Sequence, residues 1–273
     1  MRILVLGSRG VIGSAFCKNA VKQGHDIVEW DIQISKDHDL RVSCALYFIL
    51  KEVDAVAFFA FDVGGSKYST ETADYISNNM RLLEHTFDSI RKSGLPFIHT
   101  TSQMSNMDHN PYGPLKRLAE FYTEYLGGIN IKVWNVYGHE EIGDKSHVMS
   151  DFIHQAKTTG EIRMLTTGEE TRQFLHGNDF ARASLYILEN MDTVKIQYGT
   201  MIDLSSFDWI SIRSVADIIA TKYNAKVIPG TVKATYQTKV NEPRKDFLKS
   251  GWKPEISIED YVSEISSVNS SSV

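Results

Sequence analysis

A tyrosine and a lysine stand four residues apart in PYGPLK, Tyr112 and Lys116. On a helix that spacing brings both over one face. A phenol, whose pKa in water is near 10, is a weak base at neutral pH, and a neighbouring cation favours its ionised form. Lowering that pKa by ~3 units takes ~4 kcal/mol, which two nearby cations in a partly dry site can supply. Ser102 closes the apolar run PFIHTTS just upstream, where its hydroxyl could hydrogen-bond a substrate oxygen that gains or loses a proton. Thr101 is the reserve candidate for that hydroxyl. The chemistry implied is proton transfer at a carbinol or carbonyl oxygen.

A second cluster opens the chain. GSRGVIG at 7–13 places glycines at 7, 10 and 13 between an apolar strand, ILVLG, and a helical stretch. Gly7 permits the tight turn, Gly10 a close approach of the backbone to a pyrophosphate, and Gly13 close packing of the helix on the sheet. Ser8, Arg9, Val11 and Ile12 complete a loop whose N–H groups, at a helix N-terminus, suit phosphate. The next strand, DIVEWD, ends in Asp31, eighteen residues past Gly13. A carboxylate there accepts hydrogen bonds from ribose hydroxyls and repels a 2′-phosphate, so NAD is expected rather than NADP. Arg9 argues the other way, because a guanidinium in the turn could meet that phosphate.

The elements that must hold these residues follow from periodicity. Strands are expected at 3–7, 26–31, 54–61, 96–102 and 129–138, and helices at 12–24, 73–93, 112–126, 148–158, 178–190, 212–223 and near 258–266. Short β-branched runs alternating with helices predict an α/β fold, a doubly wound parallel sheet. Two regions are expected: a dinucleotide-binding domain over 1–138, completed by about 173–205, and a smaller substrate domain from 139–172 and 206–273.

With these motifs in order, the chain resembles the extended short-chain dehydrogenase/reductases, the NAD-dependent epimerase/dehydratase family that acts on nucleotide sugars. GSRGVIG looks like the family's cofactor turn and PYGPLK like its catalytic YxxxK. HDL at 38–40 is similar to the adenine-contacting pair, which assigns Asp39 and Leu40 to the cofactor. AFFAF at 57–61 resembles the strand end beneath it, assigning Phe59, Ala60 and Phe61, with Asn79 as the structural asparagine. Thr100 and Lys116 join the same list, Lys116 through a ribose hydroxyl. NVYG implies Asn135 beside the sugar. TTGEETRQFLHGNDFARA resembles the segment that grips the substrate diphosphate, which assigns Arg172; a guanidinium gives phosphate a bidentate, permanently charged grip. Asn135 and Arg244 are weaker candidates for that end. The resemblance also implies a homodimer through helices 73–93 and 112–126.

Departures narrow the chemistry. The family's dehydratases carry an acid–base pair just after the catalytic hydroxyl; here Gln103 and Met104 stand there, and neither can do that work. The branch making 3,5-epimerised sugars uses a cysteine two past the serine and a later histidine. DVGGSKY and KSHVMSDFI resemble that branch and put His147 in the histidine's place, but position 104 is methionine. What remains is NAD-dependent hydride chemistry at one carbinol of a nucleotide-diphosphate sugar. A 4-epimerase is expected; a 4-ketoreductase or dehydrogenase uses the same residues, and a non-catalytic cofactor-binding regulator is the rival from another class. Only nine residues separate Ser102 from Tyr112. That connection is shorter than the family's and implies a more open sugar pocket.

Composition excludes other classes. The 273 residues carry 29 basic and 34 acidic side chains, net −5, which gives no case for nucleic acid or an anionic membrane. Cys17 and Cys44 have neither metal nor disulfide spacing and are expected to be reduced core residues. A cytoplasmic protein without a membrane span is expected.

Overall fold

The computed structural model describes residues 1–42, 45–63, 72–140, 142–143, 146–233 and 241–270. Cys44 and most of DVGGSKY, from Gly64 on, lie outside them, as does Lys145 of KSHVMSDFI.

The chain runs β1 (Arg2–Leu6), α1 (Val11–Lys22), β2 (Asp26–Trp30), a single-turn α2 (Leu46–Ile49), β3 (Ala55–Phe58) and α3 (Ala73–Ser93). It continues through β4 (Phe97–Ser102), α4 (Tyr112–Tyr125), β5 (Ile129–Val133), β6 (Asn135–Tyr137), α5 (Val148–Thr159), β7 (Glu161–Arg163), β8 (Thr171–Arg172) and β9 (Phe174–His176). The remainder is α6 (Gly177–Glu189), α7 (Met191–Tyr198), β10 (Met201–Leu204), β11 (Ile210–Ser211), α8 (Ile212–Tyr223), β12 (Lys226–Ile228) and α9 (Ile258–Ser270).

Six parallel strands form the main sheet, in the order β10-β5-β4-β3-β1-β2. The apolar run in β1 explains the double winding. Ile3 and Val5 face a core shared with α1 and α6, while Leu4 and Leu6 face one shared with α3. All four are wholly buried. From β1 the chain steps outward to β2, then back past β1 to β3. The order therefore reverses between β1 and β3, and a ligand crevice opens beyond the carboxyl ends of these strands. Between β2 and β3 the described residues form 3-10 turns and α2 rather than a third strand.

The structure corrects the sequence reading in three places. INIKVWNVYG is two strands: β5 stops at Val133, and β6 pairs in parallel with β9, outside the main sheet. The backbone N–H and the side-chain amide of Asn135 both donate to the carbonyl of Gln173, which carries the chain away after Trp134. The strand expected to reach residue 61 ends at Phe58. The helix at 178–190 is followed by α7, which its weak amphipathicity concealed.

A second core gathers Tyr137, Met149, Phe152, Ile162, Ile219 and Val262 from β6, α5, β7, α8 and α9. Asp179, fully buried in α6, fastens the C-terminal stretch: its carboxylate accepts from the Glu255 and Ile256 N–H groups at 3.0 and 2.9 Å and from Arg182 at 2.7 Å.

Candidate active site

The glycine turn closes β1 at the crevice. Gly7 has φ +86°, and a Cβ there would lie 2.7 Å from the Ala60 nitrogen; one on Gly13 would lie 2.0 Å from the Gly7 carbonyl oxygen. Glycine is thus required where the turn passes the end of β3 and where α1 departs. A Cβ on Gly10 would meet only the Gly7 carbonyl, at 3.6 Å. The fold alone does not demand glycine there, whereas a pyrophosphate lying over the turn would. Ser8 is buried with its hydroxyl unpartnered, and Val11 and Ile12 open α1 with its free N–H groups. These features fit a dinucleotide.

Asp31 stands beside the turn. One carboxylate oxygen accepts from the Arg9 N–H at 3.0 Å, the other from the Gln33 N–H at 2.9 Å. The Arg9 guanidinium is engaged by Glu29, with Nε 3.3 Å from Oε2. Leu40 is buried under β2, and the Asp39 carboxylate is taken up by Arg41 at 2.6–3.1 Å, which holds its pKa below the usual range. Phe59 packs edge-on against Phe16 and Phe180. Asn79, wholly buried, clasps the backbone after β3: its side chain accepts from the Asp62 N–H and donates to the Asp62 carbonyl.

Ser102, Tyr112 and Lys116 come together where β4 ends and α4 begins. The Ser102 oxygen accepts the Met104 N–H at 3.2 Å, and its hydroxyl lies near enough to the Tyr112 phenol to draw the phenol's pKa down. Thr101 faces the other side of the strand and donates to Glu120 at 2.7 Å. The Lys116 ammonium donates to the Thr100 carbonyl at 3.1 Å and lies 3.9 Å from the centre of the Phe61 ring, which meets Tyr112 edge-on. The Thr100 hydroxyl is buried and unpartnered.

The sequence expectation of a lowered phenol pKa counts an oxidised nicotinamide as its second cation; the chain's own groups act as follows. Burial pushes the Tyr112 phenol up, with the Ser102 hydrogen bond opposing it. Burial also holds Lys116 down at about 7, against the pull of Glu120. Desolvation is the largest influence on both groups.

The short connection is a 3-10 turn, Gln103–Asn106, packed under the start of α4. A Cβ on Gly113 would lie 1.9 Å from the Met107 carbonyl oxygen and 2.6 Å from that of Met104. Glycine after the tyrosine lets this trimmed link close.

The remaining candidates are spread out. Arg172 sits on β8 with one guanidinium N–H on the Thr171 carbonyl, and burial lowers its pKa. Arg244 is tied elsewhere: its N–H donates to Asp203 in β10 and its guanidinium to the Tyr198 carbonyl. Among the described residues no hydrogen bond or ion pair joins the two arginines. His147 caps α5 and contacts Glu140 at 2.6 Å, a hydrogen bond that raises its pKa. Sequence reasoning missed Glu29, Glu120 and Glu140. The available signal for Glu120 was an acid on the buried face of an amphipathic helix; Glu29 and Glu140 had none.

Among the described residues no helix is long and apolar enough to cross a membrane, and no group of three or more His, Cys, Asp or Glu could hold a metal.

The model of the NAD dependent epimerase/dehydratase family matches residues 3–199. The chain belongs to that family. It is an enzyme of the extended short-chain dehydrogenase/reductase type. Probable GDP-L-fucose synthase 1 of Oryza sativa subsp. japonica is 22% identical over 95% of this chain and 89% of its own length. UDP-glucose 4-epimerase from Thermotoga maritima, solved with UDP-glucose, superposes with a TM-score of 0.80 at 18% identity, covering 96% of each chain. GDP-6-OMe-4-keto-L-xylo-heptose reductase from C. jejuni superposes at 0.82 with 18% identity, over 100% of this chain and 98% of its own. At these identities the two structures speak for the fold.

Proposed function

We propose that the chain reduces the 4-keto group of a nucleotide-diphosphate sugar without epimerising the ring. The observation that carries this reading is the trimmed link between Ser102 and Tyr112, a 3-10 turn that leaves Tyr112 half-buried. A 4-epimerase must keep its ketone and turn it over inside the site, which an open pocket disfavours. Met104, two past the serine, has no proton to exchange at a ring carbon. The nicotinamide, when bound, supplies the hydride. Ser102 orients the substrate oxygen, and Tyr112 delivers a proton to it as the alkoxide develops. A phenol kept protonated by burial is suited to that direction. Lys116, in its charged form, steadies the tyrosinate left behind.

The cofactor proposed is NAD, because Asp31 is in place and Glu29 engages the guanidinium of Arg9. Arg172 is proposed for the substrate diphosphate and the second core for the nucleotide end, with Asn135 and His147 nearer the sugar. A homodimer is proposed through α3 and α4, where Ile76, Met80, Phe121 and Tyr125 are exposed.

The 4-epimerase expected from sequence is the second reading, favoured by Asp31, since it suits a tightly retained NAD. One experiment separates the two. Freshly purified protein is denatured and its released nicotinamide nucleotide quantified by mass spectrometry. The reductase arrives largely empty and consumes added NADH stoichiometrically with a 4-keto sugar nucleotide. Near-stoichiometric bound NAD(H), with interconversion needing no added cofactor, establishes the epimerase. Cofactor binding without turnover of any sugar nucleotide leaves the regulatory reading.

A further inference from the structure

Glu120 lies one helical turn beyond Lys116, on the face of α4 that packs against the sheet, and is 8% exposed. A carboxylate in such a place must be paired, and this one is. Its Oε1 accepts the Thr101 hydroxyl at 2.7 Å and lies 3.3 Å from the Lys132 ammonium of β5. Its main-chain carbonyl accepts the Asn130 amide at 3.0 Å.

Thr101 sits between two residues that meet the reacting pair. Thr100 offers its carbonyl to Lys116, and Ser102 carries the hydroxyl that lies beside the Tyr112 phenol. Fastening Thr101 to α4 therefore fixes the offset of strand and helix that lets both neighbours reach their partners. Neutral hydrophobic packing could set that offset too, at lower desolvation cost. A buried carboxylate adds a negative charge within a turn of Lys116.

We propose that Glu120 is a positioning residue, holding Lys116 in its charged form and locking β4 onto α4 through Thr101. The inference rests on the role given above to Tyr112 and Lys116. The groups facing Lys116 are Tyr112 and Glu120 on its own helix, His99 on β4 and, behind Glu120, Lys132 on β5 with Asp203 opposite it on β10. His99 is buried and held neutral, its pKa down at about 3, first by burial and then by Lys116. Lys132 shares the Glu120 carboxylate. Glu120, one helical turn along α4, is the anion whose charge acts on Lys116.

The test is the titration of Lys116 in the full-length protein. Lysine labelled with 13C at the ε-carbon is followed by NMR, and the signal is assigned by its loss in Lys116→Met. The wild-type midpoint is expected near neutrality. Glu120→Gln keeps an acceptor for Thr101 but removes the charge, and should lower the midpoint by about one pH unit. Thr101→Val keeps the charge and removes the lock; the midpoint should stay within a few tenths while kcat falls and the KM for NADH holds. Lys132→Met serves if Glu120→Gln does not fold, and should raise the midpoint. An unmoved Lys116 midpoint in a folded Glu120→Gln, or in Lys132→Met if that variant must be used instead, overturns the proposal. So does a full-rate Thr101→Val. The titration needs no sugar substrate, so it can succeed even if Tyr112→Phe retains turnover and the assignment of Tyr112 fails.

Discussion

Asp179 and Lys116 are both charged side chains shut away from water, and the protein treats them in opposite ways. Asp179 is satisfied on every side, by two backbone N–H groups and a guanidinium. Lys116 has one carbonyl and the face of one aromatic ring, and its pKa has fallen to about 7. The first arrangement joins two parts of the chain. The second leaves an ammonium under-solvated, so that its charge answers to whatever approaches. Buried charge stabilises only where its hydrogen-bonding capacity is filled; where it is left unfilled, as at Lys116, it costs stability.

That contrast can be broken by experiment. The largest effect is expected from Tyr112→Phe, which should lower turnover by about a thousandfold, within the span of general acid catalysis, while cofactor titration is unchanged. Retained turnover would remove the chemical reason for keeping Lys116 under-solvated. Asp179→Ala leaves Arg182 and two N–H groups without their anion, and urea unfolding should lose about 3 kcal/mol. Lys116→Met should do the reverse, gaining on the order of 2 kcal/mol at pH 7 while activity disappears. The sign follows from proton binding. With a native pKa of about 7 against 10.5, the unfolded chain binds more protons between those values, so stability rises with pH across that window. Lys116→Met should flatten that rise.

Gly113→Ala forces a methyl into the Met104 and Met107 carbonyls and should cost about 1–3 kcal/mol, with kcat reduced as the link shifts. The smallest effect is expected at the pair of half-exposed His147 and largely buried Glu140, about 1 kcal/mol. His147 is raised, so its contribution is full below pH 6.5 and lost as pH rises through its native pKa. Glu140 is held low by that histidine although burial opposes it, so its share is present above pH 4.5 and lost as pH falls through the depressed value. His147→Gln should remove the alkaline part of this dependence from a series of melting temperatures.

Much of the fold was legible because it is written locally. GSRGVIG declares its turn through glycine sterics, and the buried strands declare themselves as unbroken apolar runs. The two- and three-residue strands β7, β8, β11 and β12 were not legible. Their pairing is set by partners tens of residues away, as with Ile210 opposite Arg172. The same limit explains Trp134, where nothing local announces that the chain leaves the sheet. At the site, the spacing of Tyr112 and Lys116 could be read directly, but Ser102 and Thr101 could not be told apart as neighbours of similar chemistry. Only the pleat, with one hydroxyl toward Tyr112 and the other toward Glu120, separates them. The direction of the Tyr112 shift was also beyond the sequence, because it depends on how dry the helix start is.

The second core is assembled from stretches that are far apart in the chain, 137–164, 210–228 and 256–265, with Phe174 between. No single cut releases it. A gene truncated after residue 205 would still encode every strand of the main sheet yet lose α8 and α9, two of the helices that wall that core. Recombination therefore cannot trade this region between relatives as a cassette. On the proposal that this core receives the nucleotide end of the substrate, a change in what the enzyme accepts comes by point substitution and loop length, in place.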